Sequence, residues 1–260
     1  MRRQLNQTLL DGLVGAWSPA AQGRTIGATG YLLPDISGRG NHGTLTNMDA
    51  ATDWVTSGGY PALDCDGTND YVNHGQIHLL GDMTISVWFT QRDYVSSQCL
   101  VGDSTAAGNS FSYLLNWGYN DALCSLYHGQ GLAWLSTAPV ILDNRLIHCA
   151  ISRKGTAGSW TLTGMVNGFS NETTTANNPP STIDSNMAIG RAGDYPYSEY
   201  FNGSILEVLM WNRSLSQPEV SFTYGVGPGG LFDFRRPRTR AHGVTAAAPS
   251  NTGRFFQLFG

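Results

Sequence analysis

Thr84-Ile85-Ser86-Val87-Trp88-Phe89-Thr90 alternates, with Ile85, Val87 and Phe89 on one face. A period of two over seven residues is the mark of a β-strand with one face in a core, so this stretch is expected to be a half-buried strand. Arg145–Ser152 (RLIHCAIS) and Gly203–Trp211 (GSILEVLMW) read as strands of the same strength. Weaker runs lie between them: Leu13–Trp17, Gly43–Asn47, Cys99–Gly102, Phe111–Trp117, Leu123–Tyr127, Ala133–Leu135 and Met187–Gly190. Ala62–Asp66 and Asp70–Val72 flank Gly67-Thr68-Asn69 and read as a hairpin. Trp160–Val166 followed by Asn167-Gly168 and Phe169 reads as a hairpin with a type I′ turn. Ser170–Ser185 reads as a polar loop. Gln217–Tyr224 is the convincing helix, with Ser216 as N-cap, Pro218 in the first turn and Glu219 beside it. Many short strands with almost no helix predict an all-β sandwich of the jelly-roll kind.

The composition agrees. Of 260 residues, 41% are apolar, enough for a large core, and only 13% are charged, well under the usual quarter. The 32 glycines suit tight turns. Residues 1–9 read as an amphipathic lead-in with a short helical turn, 10–225 as the domain, and 226–260 as an extended C-terminal arm entered through a flexible connector, Gly225–Gly230. The arm carries five arginines and one acid, so its +4 contrasts with −8 for the remainder. A mildly acidic body argues against nucleic-acid binding. Five phenylalanines in the arm (Phe232, Phe234, Phe255, Phe256, Phe259) are expected to pack on the body or on other copies and structural proteins. No run approaches 18 apolar residues, so no membrane span is expected, and no signal peptide is seen. The N-x-S/T triplets at Asn6, Asn171, Asn202 and Asn212 then read as chance matches. Cys65, Cys99, Cys124 and Cys149 lie in or beside apolar runs without a CxxC pair. They read as buried thiols, with one or two disulfides left open.

Asp35-Ile36-Ser37-Gly38-Arg39-Gly40-Asn41-His42-Gly43 carries the chemistry that stands out first. Its oxygens suit either a hard cation or the amides of its own turn. With LVGAW (Leu13–Trp17), ALDCDGTNDYV (Ala62–Val72) and FNGSILEVLMWNRSLSQPEV (Phe201–Val220), this loop resembles the laminin-G-like, concanavalin A-like lectin/glucanase superfamily over about 210 residues. The GPGG–RRPR tail resembles endings of such modules in bacterial and phage-encoded proteins. The resemblance implies a concanavalin A-like jelly roll, and a structural calcium near the opening loop, held with an acid of a closing strand usually written G-x-I-D-E-V. Here Leu206 stands at that Asp and Glu207 follows it; alternation puts the two on opposite faces, so Glu207 is not expected to substitute. Asp35 and Asn41 are the candidate calcium ligands that remain, against a reading as turn caps.

Glucanases on this fold use paired carboxylates on one strand, E-x-D-x-E. No such run exists here, nor G-x-S-x-G or H-E-x-x-H. Glu207 reads as an edge-facing or arginine-paired carboxylate, and Asp64, Asp66 and Asp70 as turn chemistry. Sugars are held by exposed aromatic rings with polar neighbours. Trp117, Tyr119 and Asn120 of NWGYND, Trp134 after Gly-Gln-Gly, and Tyr195, Tyr197 and Tyr200 of GDYPYSEY are the candidate ligand-binding residues, while Trp17, Trp88, Trp160 and Trp211 are expected in the core. The sequence thus predicts a non-catalytic module binding glycan or a cell surface within a virion or extracellular assembly, made in the cytoplasm and exported without a classical signal. A purely structural subunit is the alternative, and a glycan-cleaving enzyme the third reading.

Overall fold

The computed structural model describes residues 8–22, 31–49, 51–92, 98–103, 114–117, 125–128, 131–133, 144–156, 158–176, 185–193 and 199–232. Two antiparallel eight-stranded sheets face each other. The first is built from β14 (Phe169–Ala176), β13 (Ser159–Val166), β12 (Ile147–Thr156), β7 (Met83–Gln91), β16 (Asn202–Trp211), β5 (Tyr60–Asp66) and β4 (Trp54–Ser57), in that order, with β1 (Leu13–Trp17) also paired to β16. The second runs β11 (Gly131–Ala133), β10 (Ser125–His128), β9 (Leu114–Trp117), β8 (Gln98–Gly102), β15 (Ala188–Ile189), β6 (Tyr71–Asn73), β3 (Gly43–Thr46) and β2 (Leu32–Leu33). Ile85, Val87 and Phe89 of β7 meet Val72, Val101 and Ile189 of the second sheet in the core between them. This is the jelly-roll sandwich that the strand pattern predicts, in the concanavalin A-like form that the resemblance implies.

The outer face of the first sheet is covered as well. Leu13, Ala150, Leu209 and Trp211 pack there with Leu9, Leu215, Val220 and Leu231, residues of the N- and C-terminal segments. Ala62, Trp88 and Leu206 form a second patch with Ala20 and Tyr224. All nine residues of β7 are therefore buried, not one face of it. The alternation is real, but both faces have partners. Trp17, Trp88, Trp160 and Trp211 are buried as expected, and Trp211 Nε1 donates to the Leu9 carbonyl at 2.6 Å.

Three local expectations change, and one short helix is added to them. Ala62–Val72 is a corner rather than a hairpin: β5 pairs with β4 and β16 in the first sheet, and β6 with β3 and β15 in the second. The turn residues look the same in both cases, so only pairing partners could tell them apart. Asn167 and Gly168 have φ of 51° and 80°, fitting the type I′ turn, but β14 continues through Ala176 where a loop was expected. A four-residue helix, α1 (Pro19–Gln22), starts at Ser18, whose Oγ accepts the Ala21 amide. Gly225–Gly230 is not a free connector. Helix α2 (Gln217–Val226) runs into consecutive turns in which the Gly227, Gly230 and Phe232 amides donate to the Tyr224, Gly227 and Gly229 carbonyls. Leu231 is buried, so the start of the expected arm belongs to the domain; residues 233–260 lie outside the described residues. At the start of α2, the Glu219 carboxylate accepts from the Ser216 amide and hydroxyl and pairs with Arg213 at 2.8 Å.

Cys149 is disulfide-bonded, whereas Cys65 and Cys99 are buried thiols. The buried-thiol reading thus holds at Cys65 and Cys99, and the disulfide that the sequence left open involves Cys149.

Candidate functional site

The opening loop folds around Asp35, which is buried. Oδ1 accepts the Ala16 and Ser37 amides at 3.0 and 2.9 Å, and Oδ2 accepts the Ser37 hydroxyl and the Asn41 amide at 2.9 and 3.0 Å. Burial alone would push this carboxyl up; the Ser37, Ala16 and Asn41 donors outweigh it and hold the pKa below its ordinary value. Asn41 Nδ2 donates to the Val14 carbonyl at 2.7 Å, and the Asn41 carbonyl accepts Trp17 Nε1 at 2.7 Å. Gly43 is required by a close approach, since a Cβ there would lie 2.3 Å from the His74 ring, which packs edge-on against Trp17. N–H and O–H donors thus converge on Asp35, where a calcium would need oxygens facing a common centre. The donor set does not fit that ion, and among the described residues no three His, Cys, Asp or Glu side chains group to hold a metal.

The closing strand departs from simple alternation. Ile205 pairs with Phe89 and Glu207 with Trp88, so Leu206 is an extra residue in a β-bulge. Ile205 and Val208 point into the inter-sheet core while Leu206 packs beside Trp88 on the outer face. The bulge lets Glu207, opposite Trp88, join Leu206 there instead of lying across the sheet from it. Glu207 is not at an edge, and among the described residues no arginine pairs with it. It is buried, and its Oε2 accepts the Ser18 hydroxyl at 2.8 Å and the Gly229 amide at 2.7 Å. Burial drives its pKa up to about 7, with those two donors pulling the other way. A carboxyl so enclosed is a clamp between the two terminal segments, out of reach of a polymeric substrate.

The acids of the β5–β6 corner are committed to structure. Asp66 Oδ1 accepts the Thr68 and Asn69 amides, Asp70 Oδ2 accepts the Asp66 amide, and Asp64 pairs with Arg92 at 2.5 Å. Beside this corner is the arrangement best suited to a ligand. The Arg191 guanidinium lies 4.9 Å from the Tyr71 ring centre and 5.6 Å from that of Tyr200, and the two rings are 6.3 Å apart, tilted by 47°. All three side chains are half-buried. Tyr71 comes from β6, Arg191 from the turn after β15, and Tyr200 from the segment entering β16. Gly190, with φ of 83°, turns the chain where a Cβ would sit 3.3 Å from Cys65 Sγ, and so seats Arg191 against the corner. Tyrosine faces can stack on the C–H face of a sugar ring, and guanidinium N–H groups at the edge of the stack can donate to hydroxyls.

Of the predicted ligand residues, Tyr200 enters this cluster. Trp117 ends β9, opposite Gln98; Tyr119, Asn120, Trp134, Tyr195 and Tyr197 lie outside the described residues. Tyr71 and Arg191 were not singled out from sequence. The signal for Tyr71 was its place opposite the core-facing Val72 in Asp70-Tyr71-Val72, on the solvent side of a strand.

A profile of the concanavalin A-like lectin/glucanase superfamily matches residues 66–221. A search of curated protein sequences returns no match. Among solved structures, domain 4 of an extracellular arabinanase from Geobacillus stearothermophilus, in complex with arabinotriose, superposes with a TM-score of 0.58 at 14% identity, covering 81% of this chain and 97% of that one. The binding domain of Paraclostridial mosquitocidal protein 1 gives 0.60 at 13% identity, over 84% of this chain and 52% of that one. A Trypanosoma rangeli sialidase gives 0.57 at 15%, over 82% of this chain and only 32% of the enzyme. At these identities the likeness is one of fold, and the profile match across most of the chain carries the assignment: this protein belongs to the concanavalin A-like lectin/glucanase superfamily.

Proposed function

We propose that the chain is a non-catalytic glycan-recognition module and that Tyr71, Arg191 and Tyr200 form its ligand platform. The observation that carries this is the pair of half-buried tyrosines flanking one guanidinium at the end of the sandwich. The arabinotriose bound by the arabinanase domain supports it by analogy of fold. The non-catalytic part is supported by the burial of Glu207 and by the absence of acids from β7 and β12, neighbouring strands in the middle of the first sheet. A virion or extracellular setting is supported by the disulfide at Cys149, since such bonds persist in oxidising surroundings.

The test is a glycan array with the full chain, followed by titration of the best probe against Tyr71→Ala and Tyr200→Ala. Each variant is expected to bind about tenfold more weakly or worse, ~1.4 kcal/mol, with an unchanged melting temperature. Release of reducing sugar that disappears in Glu207→Gln would overturn the non-catalytic reading.

A further inference from the structure

The strand that carries Tyr71 holds more polar groups on the same face, and they bear on how much of a glycan the site takes, an inference that rests on the glycan reading above. Val72 points into the inter-sheet core, so Tyr71 and Asn73 lie together on the outer face of the second sheet. Leu45 of β3 points inward as well, which puts Thr44 and Thr46 on that outer face. The register sets Thr46 opposite Tyr71 and Thr44 opposite Asn73, with Leu32 of β2 beyond Thr44. Exposure falls in one direction across these strands. Leu32 and Thr44 are exposed and Asn73 is half-buried. Ala188, which pairs with Asn73 from its other side between the core residues Met187 and Ile189, is 1% exposed. The outer face is therefore stepped, and the step follows β6 away from Tyr71. Among the described residues, neither the Asn73 carboxamide nor the Thr44 hydroxyl is taken up by a hydrogen bond of the fold.

We infer that the site takes an extended oligosaccharide chain, one unit on the tyrosines and the next along β6 over Asn73 and Thr44, and not a single terminal sugar. Residues two apart on a strand are separated by about 7 Å, so a sugar centred on the Tyr71 ring leaves Asn73 and Thr44 to a neighbouring unit. A carboxamide offers two donors and an acceptor, and a threonine hydroxyl one donor and acceptor sites. That mixture suits ring hydroxyls, which donate and accept alike, and Leu32 adds apolar surface for a C–H face. These groups stand on paired strands, so little of the chain has to be ordered when a ligand arrives.

The experiment titrates the full chain with arabino-, xylo-, gluco- and galacto-oligosaccharide ladders, from the single sugar to the hexamer. For the ladder that binds, the tetramer is expected to bind at least about tenfold more tightly than the single sugar, with little gain beyond it. The readout for the variants is this ratio. Asn73→Ala/Thr44→Ala is expected to cut it to roughly a third or less, whereas Tyr71→Ala should weaken every length that binds. Thr44→Lys, a change at an exposed position that places a long side chain over the step, should cut the ratio in the same way, and so decides the matter if the melting curve shows that the double variant is misfolded. Equal affinity at every length, or a ratio kept in both variants, would overturn the extended-chain inference while leaving the glycan reading in place. Silence of every ladder would sink the glycan reading itself and this inference with it.

Discussion

The Gly229 amide donates to Glu207 Oε2 at 2.7 Å, and so the turn after the last helix is held by the middle of the closing strand. The same oxygen takes the Ser18 hydroxyl, which starts α1 at the other end of the chain. One carboxyl therefore fixes both terminal segments to the back of the first sheet, and they bury Trp88 and Trp211.

That burial makes Glu207 a pH-dependent term. Its folded pKa, about 7, exceeds its ordinary 4.5 because burial disfavours the charged form. Between those values the folded protein binds more protons than the unfolded one. The Glu207 contribution is thus fully present below pH 4.5 and is lost as pH rises through 7. Glu207→Gln keeps an acceptor for Ser18 and Gly229 without the charge. It is expected to be more stable than the parent at pH 8 by on the order of 2 kcal/mol, with the gap closing at pH 4.5. Urea midpoints at the two values check this, and a gap independent of pH would contradict it.

Asp35 gives the opposite substitution pattern. Its oxygens accept two bonds each, and in Asp35→Asn one oxygen becomes an NH2 facing the Asn41 amide. A loss of about 2–4 kcal/mol is expected, the cost of leaving buried donors unmatched. Because donors rather than oxygens surround the carboxylate, excess chelator should leave the parent's melting temperature unchanged. A rise in melting temperature on titrating calcium would show that the loop rearranges to bind it.

What was legible in the sequence follows from what is local. Alternation in Thr84–Thr90 gave the central strand, Asn167-Gly168 gave its turn, and Ser216 with Glu219 gave the helix start, because each depends on residues a few positions apart. The corner at Gly67–Asn69 was misread since its Asp66 cap and its glycine serve a hairpin equally well. The bulge at Leu206 was invisible because a run of apolar residues hides a shift in phase. Glu207 could not be placed without Ser18 and Gly229, separated from it by 189 and 22 residues. At the candidate site, Tyr200 was visible as an aromatic in a polar stretch, but Tyr71 and Arg191 meet it only through pairing of β6 with β15.

Gly229 is expected to tolerate no side chain. Its φ is 73°, and an added Cβ would lie 2.7 Å from the Ala21 amide nitrogen, a backbone atom that cannot turn aside. Gly229→Ala should cost roughly 1–3 kcal/mol from the left-handed backbone alone, with more from the contact with α1. The fluorescence of the buried tryptophans should report it as earlier exposure during denaturation. Gly40→Ala, which shares the left-handed backbone (φ 80°) but has open space around it, separates the two costs, and equal losses at both sites would show that the α1 contact carries none.

Two histidines set the behaviour on the acid side. His148 is fully buried with Nε2 2.8 Å from Ser86 Oγ, its ring 4.8 Å from Trp88, and its pKa driven by burial down to about 3. His74 lies against Trp17, and burial, partly offset by the Asn41 carbonyl and Asp35, brings it down to about 4. For both, the unfolded chain binds more protons than the folded one below about 6.5. Their stability is whole above that pH and is lost as pH falls through 6.5 toward the folded values. Glu207 and Asp70, both raised by burial, act in the other direction over part of this range, so the Glu207→Gln background removes the larger of the two opposing contributions. In that background, stability should fall by several kcal/mol between pH 7 and pH 4. Adding Ser86→Ala/His148→Phe, which replaces a buried polar pair by an apolar one against Trp88 and Tyr224, should flatten roughly half of the slope. If the slope is unchanged, protonation of His148 is not what unfolds the back of the sheet in acid.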